Sequence, residues 1–449
     1  MHSVWAVARN TIAQAVRMKV AALVIVLLLV LIPLMSVVLV GDETLHGKLQ
    51  TFSSYSLSLM TMLLCILTIA VSTWTLSNDL RRKHLFLIVT KPITRWQIVL
   101  GKLCGILILD AVLLVLFSTI IYVLTLAIPY LDDAPPEEVK KAADEFFTAR
   151  AGRTVEEDEE EIERRAWEAY QKLRDTDQIP PDMTQQRVLS ELRSHQRMLA
   201  KAVPVNTRKI WEFNNVRVRD PNETLFVRFK YDVAVTPIDD KVHGVWAVGD
   251  TRQLELAAGG WKTPLAQVVR SDVTRTMTEI EVPASVVAED GFVGVIFFNS
   301  SMNDTTVFLE NVELLYREGT FTGNFIKVVL LIALRLVFLA ALGVFASTWL
   351  SFPVAFLLAV TIFMPAMIRG FIAESFESIG NIGIILKQIL WLLPQFDGEA
   401  NPTHYMVMGR LLRWGTLVVT GLVVLIKAGA LTAFGMWIFG SREIAKTAV

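Results

Sequence analysis

Histidine, cysteine and serine residues, the usual carriers of catalytic chemistry, are few or poorly placed in this sequence. The six histidines are scattered without metal-ligand spacing, at His2, His46, His84, His195, His243 and His404. No HExxH, GxSxG or GxxxxGKS/T pattern occurs. Cys65 and Cys104 both lie in or beside apolar runs and suggest neither a disulfide scaffold nor a zinc site. We therefore predict that this chain is not an enzyme and holds no metal or cofactor.

Three charged residues interrupt long apolar runs: Asp110, Arg335 and Lys427. A charge deep in a bilayer costs at least about 2.5 kcal/mol, so such residues are expected to pair or to line a water path. At a rise of about 1.5 Å per residue, Asp110 and Arg335 lie at depths that differ by about 5 Å. An ion pair between them is one prediction, and an Asp110 side chain that reaches the cytoplasmic interface is the alternative. Lys427 has no obvious partner.

Composition places the chain in a membrane. Of its 449 residues, 53% are hydrophobic and only 19% are charged, and the mean hydropathy is +0.47. The 43 basic and 44 acidic residues nearly cancel, whereas a nucleic-acid-binding protein would normally carry a basic excess. The composition therefore excludes a purely soluble or disordered chain and argues against nucleic acid as a partner.

Apolar runs of about 20 residues, enough to cross a hydrocarbon core of about 30 Å, predict membrane-spanning helices. Six such runs occur, at 20–40, 57–77, 103–129, 325–349, 352–372 and 416–439. They define two membrane segments, 20–129 and 321–449. The first run resembles a signal peptide, but no small-residue cleavage site follows it, so we interpret it as a retained helix.

The distribution of Lys and Arg predicts the orientation of these helices. Basic residues cluster before the first span, between the second and third, and after the last. Both termini are therefore expected in the cytoplasm and residues 130–324 outside. The apolar stretch 378–395 is short and contains Lys387 and Pro394. We interpret the surrounding region, 373–409, as a re-entrant or interfacial helix pair.

Residues 1–19 have the pattern of an amphipathic helix. An apolar face at helical spacing is formed by Val4, Trp5, Ala8, Ile12, Ala15 and Val16. This predicts an interfacial helix on the inner leaflet that contacts membrane lipids. A cytoplasmic extension of the first span is the alternative.

The hydrophilic middle of the chain divides by composition. Residues 130–203 are rich in Glu, Lys, Arg and Ala, include the run 156–161 (EEDEEE), and predict two or three amphipathic helices. From 204 to 320 the hydrophobic period becomes two, for example over 225–235 and 293–297, which predicts an antiparallel β-sandwich. Its ending, VFLENVELLYREG, resembles jelly-roll modules of carbohydrate-binding type.

Three tryptophans of this sandwich could stack on a sugar. They are Trp211, Trp246 and Trp261. The resemblance to carbohydrate-binding modules implies a glycan or an extracytoplasmic protein as a possible partner. Tryptophans in a β-sandwich more often belong to the core, which is the alternative for all three.

The segment 78–102, NDLRRKHLFLIVTKPITRWQIVLGK, joins the second and third predicted spans. It begins with an acid and a basic cluster, continues with an apolar helical stretch from Leu85, turns at Lys91 and Pro92, and restarts with Thr94 as the N-cap of the next helix. Such a segment is suited to presenting a short helix to a partner. The alternative is that its apolar residues lie on the membrane interface and its basic residues only hold it inside.

This segment resembles the coupling loop of ABC-2 type transporter permeases. Asp79 stands where that family has an acid before a short coupling helix, Pro92 and Arg95 match its Pro-x-x-Arg turn, and Gly101 and Lys102 match the start of its third span. The terminal stretches WAVARNTIAQAVRMK and FGMWIFGSREIAK also resemble this family, in particular the permeases grouped with multi-copper-enzyme maturation systems.

The resemblance covers roughly 1–130 and 325–449. It implies six spans with re-entrant helices, a permease homodimer, a separate ATP-binding subunit, and location in the cytoplasmic membrane of a bacterium. The residues assigned to coupling or ATPase docking are Asp79, Arg81, Arg82, Leu85, Phe86, Pro92, Arg95 and Lys102.

The sequence thus predicts a multi-pass α-helical membrane protein with an extracytoplasmic helical segment and a jelly-roll-like β-sandwich. Its predicted function is that of the permease subunit of an ABC-2 type transporter. The alternative is a membrane-anchored binding or scaffold protein that acts through its sandwich. Because an anchor needs one or two helices, six favour the permease.

Overall fold

The computed structural model describes the chain except for residues 1, 42–43, 82–93, 133, 156–157, 180–182, 219–222, 256–262, 378–387, 389, 408 and 442–449. Two compact units are formed. The membrane unit comprises residues 1–148 and 320–449, and the sandwich unit comprises residues 149–319. Each unit has its own hydrophobic core.

The helices of the described part, in chain order, are α1 (His2–Val16), α2 (Lys19–Val38), α3 (Leu45–Arg81), α4 (Arg95–Leu131), α5 (Pro136–Glu145), α6 (Glu159–Asp175), α7 (Gln185–Lys201), α8 (Phe321–Ser347), α9 (Phe352–Met367), α10 (Arg369–Glu377), α11 (Pro402–Val407) and α12 (Trp414–Ser441). The strands are β1 (Thr148–Thr154), β2 (Ala202–Val203), β3 (Arg208–Phe213), β4 (Thr224–Val233), β5 (Lys241–Gly249), β6 (Ala266–Val273), β7 (Met277–Pro283), β8 (Val293–Asn299) and β9 (Val307–Thr320).

Five helices of the described part, α2, α3, α4, α8 and α12, are long and apolar enough to cross a membrane. The chain is therefore a multi-pass membrane protein with a separate β-sheet region. The sixth predicted span, 352–372, contains α9, whose 16 residues reach about 24 Å at 1.5 Å per residue. This is shorter than a hydrocarbon core of about 30 Å, and α9 ends at Met367 before α10 begins.

The centre of the membrane unit is formed by α3 and α8, which are the most buried of the five long helices. They approach each other closely at Gly343, where an added Cβ would collide with Ser72 Oγ. The α3 face is rich in small hydroxyl residues whose oxygens bond to their own helix, as Thr68 does to the Leu64 carbonyl at 2.8 Å. Small residues allow this close packing, which is how helices associate in lipid.

The helix α1 packs directly against α4. Its buried face consists of Val7, Ala8, Thr11 and Ala15, whereas Trp5 and Val16 of the predicted apolar face are exposed. Gly101 and Gly105 of α4 permit the contact, because a Cβ on Gly101 would lie 2.6 Å from Val7 Cβ and one on Gly105 would lie 2.7 Å from the Ala8 carbonyl oxygen. The contact with protein therefore explains the spacing of the small residues in α1.

The sandwich unit contains two antiparallel sheets and the helices α6 and α7. One sheet has the order β1-β9-β4-β7, with the short β2 also on β9, and the other has the order β3-β8-β5-β6. Alternate residues of both sheets form the common core, as Phe229 and Trp246 show with ring centroids 4.2 Å apart. This confirms the predicted antiparallel β-structure.

Several local predictions for this region were wrong. A strand, β1, lies within the segment 130–203, which is predicted to be helical. Within 204–320, where strands are predicted, residues 251–255 form a 3₁₀ helix. The predicted boundary at 203/204 also differs from the structure, because residues 130–148 with α5 belong to the membrane unit and α6 and α7 belong to the sandwich unit.

Glu279 of β7 lies between two buried arginines of the sandwich unit. It accepts a hydrogen bond from Arg150 Nη1 at 2.8 Å and another from Arg228 Nε at 2.8 Å. Burial by itself would raise the pKa of the Glu279 carboxyl, but the charges of Arg150 and Arg228 outweigh this and hold the pKa below its usual value. The carboxylate therefore stabilises the sheet in its ionised form.

We expect Glu279→Gln to lower the thermal midpoint of the sandwich unit at neutral pH. Because the folded-state pKa is depressed, the contribution of Glu279 is present above its unfolded-state pKa, 4.5, and is lost as the pH falls through the lower folded-state pKa. The difference between wild type and variant should therefore shrink as the pH falls below about 4.5. Calorimetry of the full chain at several pH values measures this, with the exposed Glu191→Gln as the control. A pH-independent difference would contradict the assignment.

The contact between α1 and α4 predicts opposite effects of two glycine substitutions. Gly105→Ala should lower the thermal midpoint because its Cβ meets the α1 backbone, whereas Gly429→Ala in α12 meets nothing within 4 Å. Without a clash, Gly to Ala in a helix stabilises by roughly 0.5–1 kcal/mol. Thermal unfolding of both variants in the same detergent is the measurement. Equal or reversed shifts would show that the close contact does not matter.

Candidate functional site

A buried ion pair joins the two ends of the segment 78–102. Lys102 Nζ of α4 lies 2.6 Å from Asp79 Oδ2, near the end of α3, and both side chains are only 2% exposed. Lys102 also donates to the Thr75 carbonyl at 3.0 Å, one turn before Asp79. A carboxylate in the last turn of a helix is disfavoured by the helix dipole, so Asp79 depends on this partner. The pair fixes α3 to α4 at the two ends of the segment 78–102.

The helix α1 completes this cluster. Gln14 Nε2 donates to Asp79 Oδ1 at 3.3 Å, so both carboxylate oxygens have a donor. The residue before Lys102 is Gly101, whose missing side chain makes room for α1. We call Gln14, Asp79 and Lys102 the three-helix junction. It links α1 to α3 and α4, the two long helices that contain the ends of the segment 78–102.

The start of α4 is tied to a fourth helix. Thr94 is its N-cap, as predicted, and the Thr94 backbone N–H donates to Gln97 Oε1 at 3.1 Å. The next residue, Arg95, donates through Nη1 to the carbonyl of Gly440 at 2.7 Å, close to the end of α12. A cation at this end of a helix also interacts favourably with the helix dipole. Arg95 thus connects the segment 78–102 with α12.

The remaining docking predictions cannot be placed. Arg82, Leu85, Phe86 and Pro92 lie outside the described residues, and Arg81 is the last residue of α3. Of the predicted coupling residues, the structure therefore brings together Asp79 and Lys102 directly and places Arg95 against α12.

The predicted ion pair between Asp110 and Arg335 is not formed. Arg335 Nη2 instead donates to the backbone carbonyls of Phe396 and of Ala400, the latter at 2.7 Å. Asp110 is 3% exposed and thus lies inside the helix bundle rather than at its surface, and its Oδ2 atom has no hydrogen-bond partner among the described residues. The two residues are predicted to lie at similar depths. The guanidinium nevertheless donates its hydrogen bonds to backbone carbonyls and forms no ion pair with Asp110.

Lys427 has partners of the same kind. Its ammonium donates to the carbonyls of Trp391 at 2.6 Å and Leu393 at 2.9 Å. Backbone that leaves the helical conformation at membrane depth must have its polar groups satisfied within the protein. Arg335 and Lys427 do this for the region 391–400, which lies within the predicted re-entrant segment 373–409.

Two residues near the start of α8 bind the backbone that follows that region, at Arg410 and Leu412. Asn324 Nδ2 donates to the Arg410 carbonyl at 2.8 Å, and its Oδ1 accepts from the Leu412 N–H at 2.8 Å. Lys327 donates to the Leu412 carbonyl at 3.0 Å. Arg335, Lys327 and Lys427 are therefore partners of backbone carbonyls, whereas the buried Lys102 pairs with a carboxylate.

The predicted tryptophan platform is not formed. Trp246 is fully buried and donates through Nε1 to Tyr231 Oη at 2.8 Å. Trp211 is 8% exposed, and the ammonium of Lys209 lies over its ring at 5.2 Å from the centroid. Trp261 lies outside the described residues. Trp211 and Trp246 are therefore core residues without a free ring face for a sugar.

Sequence reasoning missed Gln14, Thr75 and Gly105. Gln14 stands 65 residues from Asp79 along the chain, and an uncharged amide within an amphipathic helix carries no distinctive signal. The pairing of Asp79 with Lys102 was also not predicted, although both were assigned to the coupling segment. The spacing of Gly101 and Gly105, four residues apart on one helix face, is the signal that could have indicated the close contact with α1.

We expect the Asp79–Lys102 pair to show strong energetic coupling. Removing one charge leaves the other buried and unpaired, which costs about 3–5 kcal/mol. Asp79→Asn and Lys102→Met should each destabilise the chain by roughly this amount, and the double variant should be much less harmful than the sum. The measurement is the free energy of unfolding in mixed micelles. Additive effects of the two changes would contradict a direct ion pair.

Comparison with known proteins gives no relatives from which a function could be transferred. No protein-family model matches the sequence, and no curated protein or solved structure shows significant similarity to the chain.

Proposed function

We propose that this chain is the permease subunit of an ABC-2 type transporter and that a separate ATP-binding subunit drives it. The observation that carries the proposal is the three-helix junction. A buried Asp79–Lys102 pair with Gln14 closes the base of the segment that resembles the family's coupling loop. The ATP-binding subunit would dock on that segment from the cytoplasm.

The physical argument concerns how a push on the coupling segment is transmitted. The helices α3 and α4 each have 37 residues and are about 55 Å long at 1.5 Å per residue. They therefore extend beyond a hydrocarbon core of about 30 Å. With Asp79 bound to Lys102, the two helices move together at this end. Through Gln14 and Arg95, the same movement reaches α1 and α12.

The strand order supports the proposal of a jelly-roll type sandwich. Without the short β2, the sheets have the orders β1-β9-β4-β7 and β3-β8-β5-β6, so eight strands in two four-stranded sheets are arranged as in a double Greek key. We place this sandwich outside the cytoplasmic membrane of a bacterium because the basic residues of the short loops predict that side. A homodimer of the permease is part of the same proposal.

The alternative, an anchored binding or scaffold protein, is less well supported. An anchor would need neither five long apolar helices nor a buried ion pair between two of them. The proposed sugar platform, which gave the alternative its ligand, is also not formed by Trp211 and Trp246.

The proposal predicts that the purified chain hydrolyses no ATP by itself and gains ATPase activity only with its ATP-binding subunit. Co-expression with the ATP-binding subunit encoded beside its gene, followed by copurification and ATPase assays, tests this. Phe86→Glu should prevent copurification because it places a charge at the proposed apolar contact. Asp79→Asn should leave copurification intact but weaken the dependence of hydrolysis on the permease.

The matched control is Val235→Glu, which adds the same charge at a residue of the sandwich unit that is 70% exposed. It should not affect copurification. Trp5→Glu tests whether the ATP-binding subunit docks on α1 instead, since Trp5 on α1 is exposed. Normal copurification of Phe86→Glu together with loss in Trp5→Glu would move the contact to α1, and saturable ATP hydrolysis by the chain alone would refute the proposal.

A further inference from the structure

A cavity of about 230 Å³ lies within the membrane unit beside Arg335. Its polar lining consists of Arg335 from α8, Ser58 and Thr61 from α3, and Asn401 and Thr403 at the start of α11. Phe363 of α9 contributes an apolar wall. The cavity is separate from the three-helix junction and has no role in the function proposed above.

Arg335 has hydrogen-bonding capacity that the protein does not use. Its side chain is 3% exposed, and only Nη2 donates to oxygen, namely to the Phe396 and Ala400 carbonyls. Nη1 lies 3.9 Å from Met367 Sδ, a weak acceptor, and Nε has no partner among the residues that the structure describes. A guanidinium has five N–H donors, so several of them remain without an oxygen acceptor.

Arg335 also forms no direct ion pair within the described part of the chain. The acid whose charge acts on it is Asp397, but Asp397 Oδ2 accepts a hydrogen bond from the Gly370 N–H at 2.5 Å. A buried cation without a counter-ion is costly. An anion in the cavity would remove this cost and would accept the unused donors.

The remaining lining suits a ligand with several acceptor oxygens. Ser58 Oγ and Thr403 Oγ1 lie 3.2 Å apart, so one hydroxyl donates to the other. The hydroxyl that accepts this bond keeps its own hydrogen available for a ligand. Asn401 Oδ1 accepts from the Thr403 N–H at 3.2 Å, which orients its amide. Donors from three elements, α3, α8 and the start of α11, thus surround one small space. A phosphate group has more acceptor oxygens than a carboxylate and binds Arg in the same bidentate manner.

We propose that this cavity binds a phosphate group through Arg335, Thr61 and Asn401. Its volume of about 230 Å³ is below the roughly 300–1,000 Å³ of pockets that enclose a whole drug-sized ligand. The cavity therefore takes the phosphate moiety alone, either as the headgroup of an anionic lipid or as a free phosphate. Ser58 and Met62, which are exposed, form its opening.

The test uses the purified full chain in a non-ionic detergent without any ATP-binding subunit. The thermal midpoint is measured during titration with inorganic phosphate, with dioctanoyl phosphatidic acid, and with zwitterionic dioctanoyl phosphatidylcholine. A ligand that binds only the folded state raises the midpoint in a saturable manner, which yields its Kd. Phosphatidic acid, inorganic phosphate or both should stabilise the chain. Stabilisation by phosphatidic acid alone identifies a lipid headgroup site, and stabilisation by inorganic phosphate identifies a site for the free ion.

Two variants locate the binding. Arg335→Gln should weaken the stabilising ligand by at least about 10-fold, since it removes charge-assisted hydrogen bonds. Because Arg335 also holds the Phe396 and Ala400 carbonyls, this variant can lose its fold. Thr61→Val keeps the side-chain shape, removes one hydroxyl, and should weaken binding by about 5-fold.

The matched control is Lys427→Gln, which removes another membrane-embedded cation that binds carbonyls but does not line the cavity. It should leave the affinity unchanged. The proposal is overturned if neither phosphate nor phosphatidic acid stabilises the chain, if phosphatidylcholine does so equally well, or if the effect persists undiminished in Thr61→Val.

Discussion

Lipid cannot hydrogen-bond to a polypeptide, and this constraint governs the polar residues of the membrane unit. Chain that turns back at membrane depth exposes carbonyls, and each must find a donor from the protein. Arg335 donates to the carbonyls of Phe396 and Ala400, and Lys427 donates to those of Trp391 and Leu393. The carbonyls of Trp391, Leu393, Phe396 and Ala400 are therefore satisfied by cations that come from the long helices α8 and α12. These charges therefore have a structural role, which is to bind backbone carbonyls.

The same constraint explains the junction at the other end of α3. A charge that is almost inaccessible to water must be compensated, and Asp79 is compensated by Lys102 and Gln14 together. The glycines of α4 are the geometric condition for this, because only their small size allows α1 to lie close enough for Gln14 to reach. Charge compensation and close packing are thus one arrangement that involves three helices. This arrangement lies at the ends of the segment that resembles a coupling loop. We therefore propose that it transmits movement from that segment to the helices.

The sandwich unit follows the rules of water-soluble proteins instead. Its core is apolar and aromatic, with the Trp246 ring stacked on Phe229 and its indole N–H donating to Tyr231. Its charged residues pair with one another, as Arg228 and Glu279 do across β4 and β7. An indole nitrogen in a dry core needs an acceptor, and Tyr231 supplies it. With its ring stacked and its indole N–H satisfied, Trp246 is a core residue of the sandwich unit.

The sequence by itself determined the properties that depend on local pattern. Long apolar runs identified the helices α2, α3, α4, α8 and α12, an alternating pattern identified strands such as β4 and β8, and Thr94 was recognisable as a helix start. Hydrophobic periodicity identifies these elements because it is a local property, to which each residue contributes regardless of what lies far away along the chain. Where the pattern was short or mixed, as in β1 and α9, it did not suffice.

Only the tertiary structure decided which polar groups meet. Partnership depends on the rotation of each helix about its axis and on where the chain folds back, and neither is contained in a hydropathy pattern. Asp110 and Arg335 are predicted to lie at similar depths yet do not pair, because the guanidinium donates to the carbonyls of Phe396 and Ala400 instead. Gln14 and Asp79 are 65 residues apart and meet, because two glycines bring their helices together.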